Sequence, residues 1–288
     1  NTRKASLESA AATLGGWFGN TANLDIKVTS VTSNTGPNAG LLASAGSGYS
    51  ALSTHRGYIN GVIGDKILSN GAIDDNGGLA DGVVEVNFFH SWDYDDSIGA
   101  TDYDFKSTII HELLHAVGFT SLIEQGGTDI FSTTDENGSN STNTDADGGI
   151  WAKFDDFLTD STGAEIINDA NSIIDQALWD SASVGGGGGL FFDGPSANAA
   201  NGGNRVAIHS ANPWEDGSSG SHLAEANALM AAASTTGQGE RTLSAIEAGI
   251  LTDLGFTIIP EPSTTTLLLG AGLLVIGRRQ RRSSLLES

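Results

Sequence analysis

The 288-residue chain contains no cysteine. Disulfides and thiolate metal sites are therefore excluded, and any metal must be held by His, Asp or Glu. Positive charge is scarce as well: 13 Lys plus Arg stand against 35 Asp plus Glu, for a formal net charge of -22 and a pI near 4.3. A surface of that sign repels phosphate backbones and argues against nucleic acid as a partner. Four of the 13 basic residues, Arg278, Arg279, Arg281 and Arg282, crowd near the C-terminus, so the rest of the chain is more acidic still. Methionine occurs once, at Met230. Neither an initiating Met nor an apolar leader opens the sequence at Asn1, which fits a removed signal peptide or a fragment.

Glycine is plentiful, with 39 residues, and the acidic chain is rich in Asp, Asn, Ser and Thr, a composition shared by secreted proteins with polar loops and by salt-adapted cytosolic ones. The length suffices for one large domain or two lobes around a cleft. Residues 24 to 33, "LDIKVTSVTS", alternate apolar and polar side chains and read as a strand, and so does "DGVVEVNFF" from 81 to 89. Between them "GLLASAGSGYS" is ambiguous, and "NGVIGDKILSNGAIDD" reads as a short helix or strand. "TLSAIEAGILTDLGF" (242 to 256) carries an apolar stripe of Leu243, Ile246, Ile250, Leu251 and Leu254 and reads as a helix ended by Gly255. "GGGGG" at 185 to 189 lacks the Lys-Ser or Lys-Thr of a phosphate loop and is read as a flexible connection.

The chemistry concentrates in "FKSTIIHELLHAVGF", residues 105 to 119. Apolar residues follow helical spacing, Asp102 or Asp104 can cap the start, and Gly118 can stop the end. Residues i and i+4 share a helix face, so His111 and His115 can aim two imidazoles at one zinc ion with Glu112 beside them as general base. The alternative of two ordinary core histidines is weakened by the unfavourable burial of unpaired polar groups in a stripe of Ile and Leu. A catalytic zinc site needs a third protein ligand and one open position. His222, His209 and Glu225 compete for that place, while His55 and His90 read as surface or supporting residues.

"HELLHAVGF" resembles the metzincin group of zinc endopeptidases, whose longer motif adds a third histidine three residues after the glycine. Here Ser121 stands in that position. In leishmanolysin-like members the third histidine follows a long insertion and precedes a methionine in a tight turn. "SSGSHLAEANALM" (218 to 230) is similar to that arrangement and implies His222 as ligand and Met230 as the turn methionine. "YDFKSTIIHELLHAVGF", "FDDFLTDSTG", "NGGNRVAIHSANPWEDGSSGSHL" and "TLSAIEAGILTDLGF" look, in that order, like blocks of secreted bacterial metalloproteases of this type. Two features depart from the group: no Tyr follows Met230, and the disulfides of eukaryotic leishmanolysins have no counterpart. The oxyanion-stabilising group stays open.

The resemblance implies an α+β, two-lobed zincin domain over residues 1 to 256: an upper lobe to about 120, whose twisted mixed sheet covers the active-site helix, and an irregular lower lobe. It implies a secreted zinc endopeptidase acting on protein or peptide substrates, which lie along the upper lobe's edge strand. The expected edge strand is Gly82 to Phe89, with Val83, Val84, Glu85 and Val86 as substrate contacts. A different class of function is an idle surface or matrix adhesion protein on the same scaffold, for which Glu112 would be superfluous.

Residues 257 to 288 form a linker and tail, "PEPSTTTLLLGAGLLVIGRRQRR" at their heart. Pro260, Glu261 and Pro262, a short apolar run and the arginine cluster resemble the PEP-CTERM sorting signal of Gram-negative and related bacteria. It implies exosortase-type machinery as partner, transient membrane contact through residues 264–277, and export to the cell surface or extracellular matrix. Finally, "NTDADGG" offers Asn143, Asp145 and Asp147 as Ca2+ ligands. Phe154 stands where an EF-hand requires Glu, leaving a looser calcium site or a solvated acidic loop.

Overall fold

The computed structural model describes residues 2–36, 39–49, 56–131, 148–185 and 189–259. His55, the calcium candidates Asn143, Asp145 and Asp147, and the tail from Pro260, including 264–277, lie outside them. The first part of the chain runs α1 (Thr2–Trp17), β1 (Ile26–Ser30), β2 (Ala43–Ser47), β3 (Gly57–Ile59), α2 (Val62–Leu68), β4 (Gly82–Val86), β5 (Trp92–Asp93), β6 (Tyr103–Asp104) and α3 (Phe105–Val117). It continues as β7 (Ile150–Ala152), β8 (Leu158–Thr159), β9 (Ile167–Asn168), β10 (Ile173–Ile174), α4 (Gln176–Ala182), β11 (Leu190–Phe192), α5 (Pro195–Ala200), β12 (Val206–Ile208) and α6 (Ala245–Asp253). The result is a mixed arrangement of helices and small sheets, with no closed barrel among the described residues.

Three strands in the order β1-β4-β2 form a mixed sheet, parallel between β1 and β4 and antiparallel between β4 and β2. This corrects the expected edge strand. Val83, Val84, Glu85 and Val86 lie on the central strand, with both backbone edges engaged by neighbours. Val84 and Val86 are 1% and 0% exposed, and a β-branched run of this kind suits a strand in the middle of a sheet. The edges are β1 and β2, and the one on the cleft is β2, whose sequence "ASAGS" carries almost no strand propensity.

Helix α3 packs between β2 on one side and α1 on the other. Its start is fixed by Asp104, whose side chain accepts from the Ser107 N–H, and its buried face includes Ile109, Ile110, Leu113, Leu114 and Val117. Helix α1 gave no clear periodic signal because its buried stripe is Ser6, Ala10, Leu14 and Trp17, half of it small. Small side chains let two helix backbones approach closely. Helix α6 begins at Ala245, behind a Ser244 cap and three residues later than the expected start at Thr242. Beyond it the chain runs back along the end of α1: Gly19 donates to the Thr257 carbonyl and Ile259 to that of Trp17. Residues 257–259 thus pack with the domain, past the expected limit of 256.

Candidate metal centre

His111 and His115 share one face of α3, and the chain between β12 and α6 brings His222 up to them. The three Nε2 atoms form a near-equilateral triangle, 3.1 Å from His111 to His222 and 3.0 Å for each of the other two sides. Local geometry explains each placement. Gly118, at φ +133°, lets the chain fold back over the helix end, so that the Phe119 carbonyl reaches the His115 Nδ1 at 2.7 Å. His222 sits on a segment held against β12, through the Ile208–Leu223 bridge and the His209 N–H to His222 carbonyl bond. Its Nδ1 lies 2.8 Å from the Ser218 carbonyl, and the His111 Nδ1 lies 2.7 Å from that of Leu229.

These carbonyls determine where the ring protons are. A carbonyl oxygen only accepts, so each Nδ1 must carry hydrogen. Burial lowers the pKa of all three rings, with the neighbouring rings adding to the effect at His115 and His222, and takes His222 down to about 3. The rings are therefore neutral near pH 7, and each Nε2 presents a bare lone pair. Three lone pairs about 3 Å apart with no hydrogen among them repel one another unless a cation lies between. The donor set fits zinc: the centre of the triangle is about 1.8 Å from each corner, so Zn–N bonds of about 2.0–2.1 Å can reach all three nitrogens. Among the described residues this is the one cluster of three or more His, Asp or Glu side chains able to hold a metal ion.

The competing third ligands lie elsewhere. His209 turns its Nε2 to the Glu215 carboxylate at 2.9 Å, and Glu225 is exposed outside the cluster. Met230 is fully buried, and its carbonyl accepts from Leu223, next to His222. His90 supports the cleft wall, with its Nε2 3.0 Å from the Leu41 carbonyl and its ring edge-on to Tyr103.

Glu112 is 7% exposed and accepts a hydrogen bond from the Ala45 N–H of strand β2; burial raises its carboxyl to about 8, against that bond. It faces the same cleft as the three histidines, a space of about 850 Å³ also lined by Ala43, Tyr103 and Trp214. Sequence reasoning missed Ala45, because nothing in "ASAGS" marks a strand. It also missed Glu247 at the Leu229–Met230 turn, where Met230 N–H donates to Oε1 at 2.8 Å. The Ser-x-x-Glu pattern at Ser244 and Glu247 is a capping-box signal that could have drawn attention to it.

Residues 259–282 match the PEP-CTERM protein-sorting motif. That motif implies interaction with exosortase-type sorting machinery and export to the surface or exterior of a Gram-negative-type bacterium. No curated protein and no solved structure matches the chain. Among the described residues, no helix is long and apolar enough to cross a membrane.

Proposed function

We propose that this chain is an exported zinc-dependent endopeptidase of the two-lobed, metzincin-like zincin type, with His111, His115 and His222 as ligands and Glu112 as general base. The convergence of three neutral imidazole Nε2 atoms in an open cleft, with a buried carboxylate beside them, carries the reading. A zinc ion bound there would supply Lewis acidity, polarising the scissile carbonyl and lowering the pKa of water toward about 7. The charge of a bound cation would bring the raised Glu112 pKa back down and ionise the carboxyl, which would then be placed to take a proton from the attacking water and return it to the departing amine. The Ala45 N–H limits the directions in which that carboxylate can swing.

Strand β2 offers the place for a peptide. Leu42 turns its carbonyl inward to the Asn87 N–H, and Ala45 turns its N–H outward to Glu112. Strand alternation then points the backbone of Ala43 outward too, along the cleft, where an extended peptide can add as a further strand. Small side chains at Ala43, Ser44 and Ala45 leave room for it.

The test is zinc content by mass spectrometry together with casein hydrolysis by the purified chain, with and without a chelator. Stoichiometric zinc and chelator-sensitive cleavage support the proposal. A protein that binds zinc yet cleaves no polypeptide would favour the adhesion role instead, and one that binds no zinc would remove the basis of both.

A further inference from the structure

The His111 Nδ1–H donates to the Leu229 carbonyl at 2.7 Å. The N–H of that same peptide unit, on Met230, donates to Glu247 Oε1 at 2.8 Å. One rigid amide therefore stands between a ring and a carboxylate. We propose that Glu247 is a positioning residue for His111, acting through the Leu229–Met230 peptide as a carboxylate–amide–imidazole relay. The inference rests on reading the three histidines as metal ligands.

The physics is that of cooperative hydrogen bonding. An anion that accepts from an amide N–H polarises the amide and makes its carbonyl oxygen a stronger acceptor. A stronger Nδ1–H···O bond fixes the ring and raises the basicity of Nε2, the effect usually supplied by a carboxylate bonded directly to a metal-ligating histidine. His222 provides an internal comparison. Its Nδ1 partner is the Ser218 carbonyl, and the N–H of that peptide unit, on Ser219, ends on the backbone carbonyl of Glu215 at 2.9 Å. The two ring bonds are nearly equal in length, but only that of His111 leads to a carboxylate.

Helix capping alone does not account for Glu247. Its Oε2 accepts from the Ser244 N–H and completes the capping box, which leaves Oε1 free to be used elsewhere. The residue is 0% exposed, and its carboxylate offers an acceptor oxygen to each of two N–H donors, where an amide would turn its NH2 toward one of them. Burial raises the Glu247 carboxyl above its usual range while the Ser244 and Met230 N–H bonds hold it down, and the relay acts through its ionised form.

Glu247→Gln removes the charge and leaves one acceptor oxygen, which can serve the Met230 N–H only if the Ser244 N–H loses its bond, and Zn2+ itself is the probe. Zinc dissociation constants come from competition with a chromophoric chelator, and ring Nδ1 proton shifts from the ¹⁵N-histidine-labelled, metal-free protein. The relay predicts about tenfold weaker zinc binding and an upfield move of the His111 Nδ1 proton with that of His222 in place, beside a lower melting temperature from the lost N–H bond. Unchanged affinity with an unmoved His111 proton would overturn it. Should the variant fail to fold, the metal-free natural chain still decides: a His111 proton downfield of that of His222 supports the relay, and the reverse order or coincidence refutes it. A natural chain that binds no zinc would sink the metal site, while the ring-proton comparison would continue to report on the relay.

Discussion

The Nδ1 of His115 lies 2.7 Å from the carbonyl oxygen of Phe119, four residues further on and across the turn at Gly118. The residue that ends the helix thus also helps to orient a ligand. An added Cβ at Gly118 would meet nothing within 4 Å, so the requirement for glycine is conformational rather than steric crowding: φ is +133°. Gly118→Ala is expected to lower stability by about 1–3 kcal/mol and to weaken zinc binding as the Phe119 carbonyl shifts. Urea unfolding and zinc competition on the same preparation check this; a variant unchanged in both would refute it.

His222 and His209 are neighbours across an antiparallel bridge region, yet their rings serve different partners. His222→Ala removes one corner of the triangle and should weaken zinc binding by more than the roughly 10–100-fold loss that follows deletion of a mere supporting partner. His209→Ala removes only a ring bonded to the exposed Glu215 carboxylate and should leave zinc affinity and hydrolysis as they are. Equal effects of the two substitutions would contradict the assignment.

Arg241 clamps the start of the metal-bearing helix. Its guanidinium meets both oxygens of Asp104, the helix cap, at 2.8 Å each and also Asp96 at 2.9 Å. Asp104 is 3% exposed, so removing its partner leaves a largely buried charge. Arg241→Ala is expected to lower stability by about 3 kcal/mol or more, and Arg241→Lys to recover little, because an ammonium cannot reproduce the planar fork. Denaturant unfolding measures this. A loss well under 1 kcal/mol for the alanine variant would show the clamp to be dispensable.

These cases show which parts were legible in the sequence. The helix with His111, Glu112 and His115 could be read because apolar spacing, an Asp cap and a terminal glycine agree with one another. The third ligand depends on a contact spanning more than a hundred residues. His209 and His222 lie on paired chain segments, and no local pattern tells which ring turns toward the helix. The edge strand was misplaced for the opposite reason. "GVVEV" shows strong strand character because it is central, whereas the edge on the cleft, "ASAGS", is built from small residues with little character of their own. Helix α1 escaped notice because Ser6 and Ala10 make up half of its buried stripe.

Asp155 gives a pH dependence away from the metal ligands. Its Oδ2 accepts from the N–H groups of Leu122 and Ala152 at 3.1 and 2.8 Å, and burial pushes its carboxyl up to about 7. Between the ordinary value of 3.8 and about 7 the folded chain keeps a proton that the unfolded chain has released. Its contribution is therefore full at low pH and declines as pH rises through that window. Asp155→Asn lacks this titration. Its stability relative to the natural chain should grow from about pH 4 to about pH 7, by up to about 1.4 kcal/mol per pH unit, and then level off. Parallel unfolding profiles for the two proteins would contradict this.

The most direct measurement of the central claim is zinc content and peptide hydrolysis on the same sample of Glu112→Gln. The account predicts zinc bound as in the natural chain, because the three imidazoles are untouched, and hydrolysis reduced on the order of 10²- to 10⁴-fold. A variant that kept full hydrolytic activity with its zinc in place would contradict it.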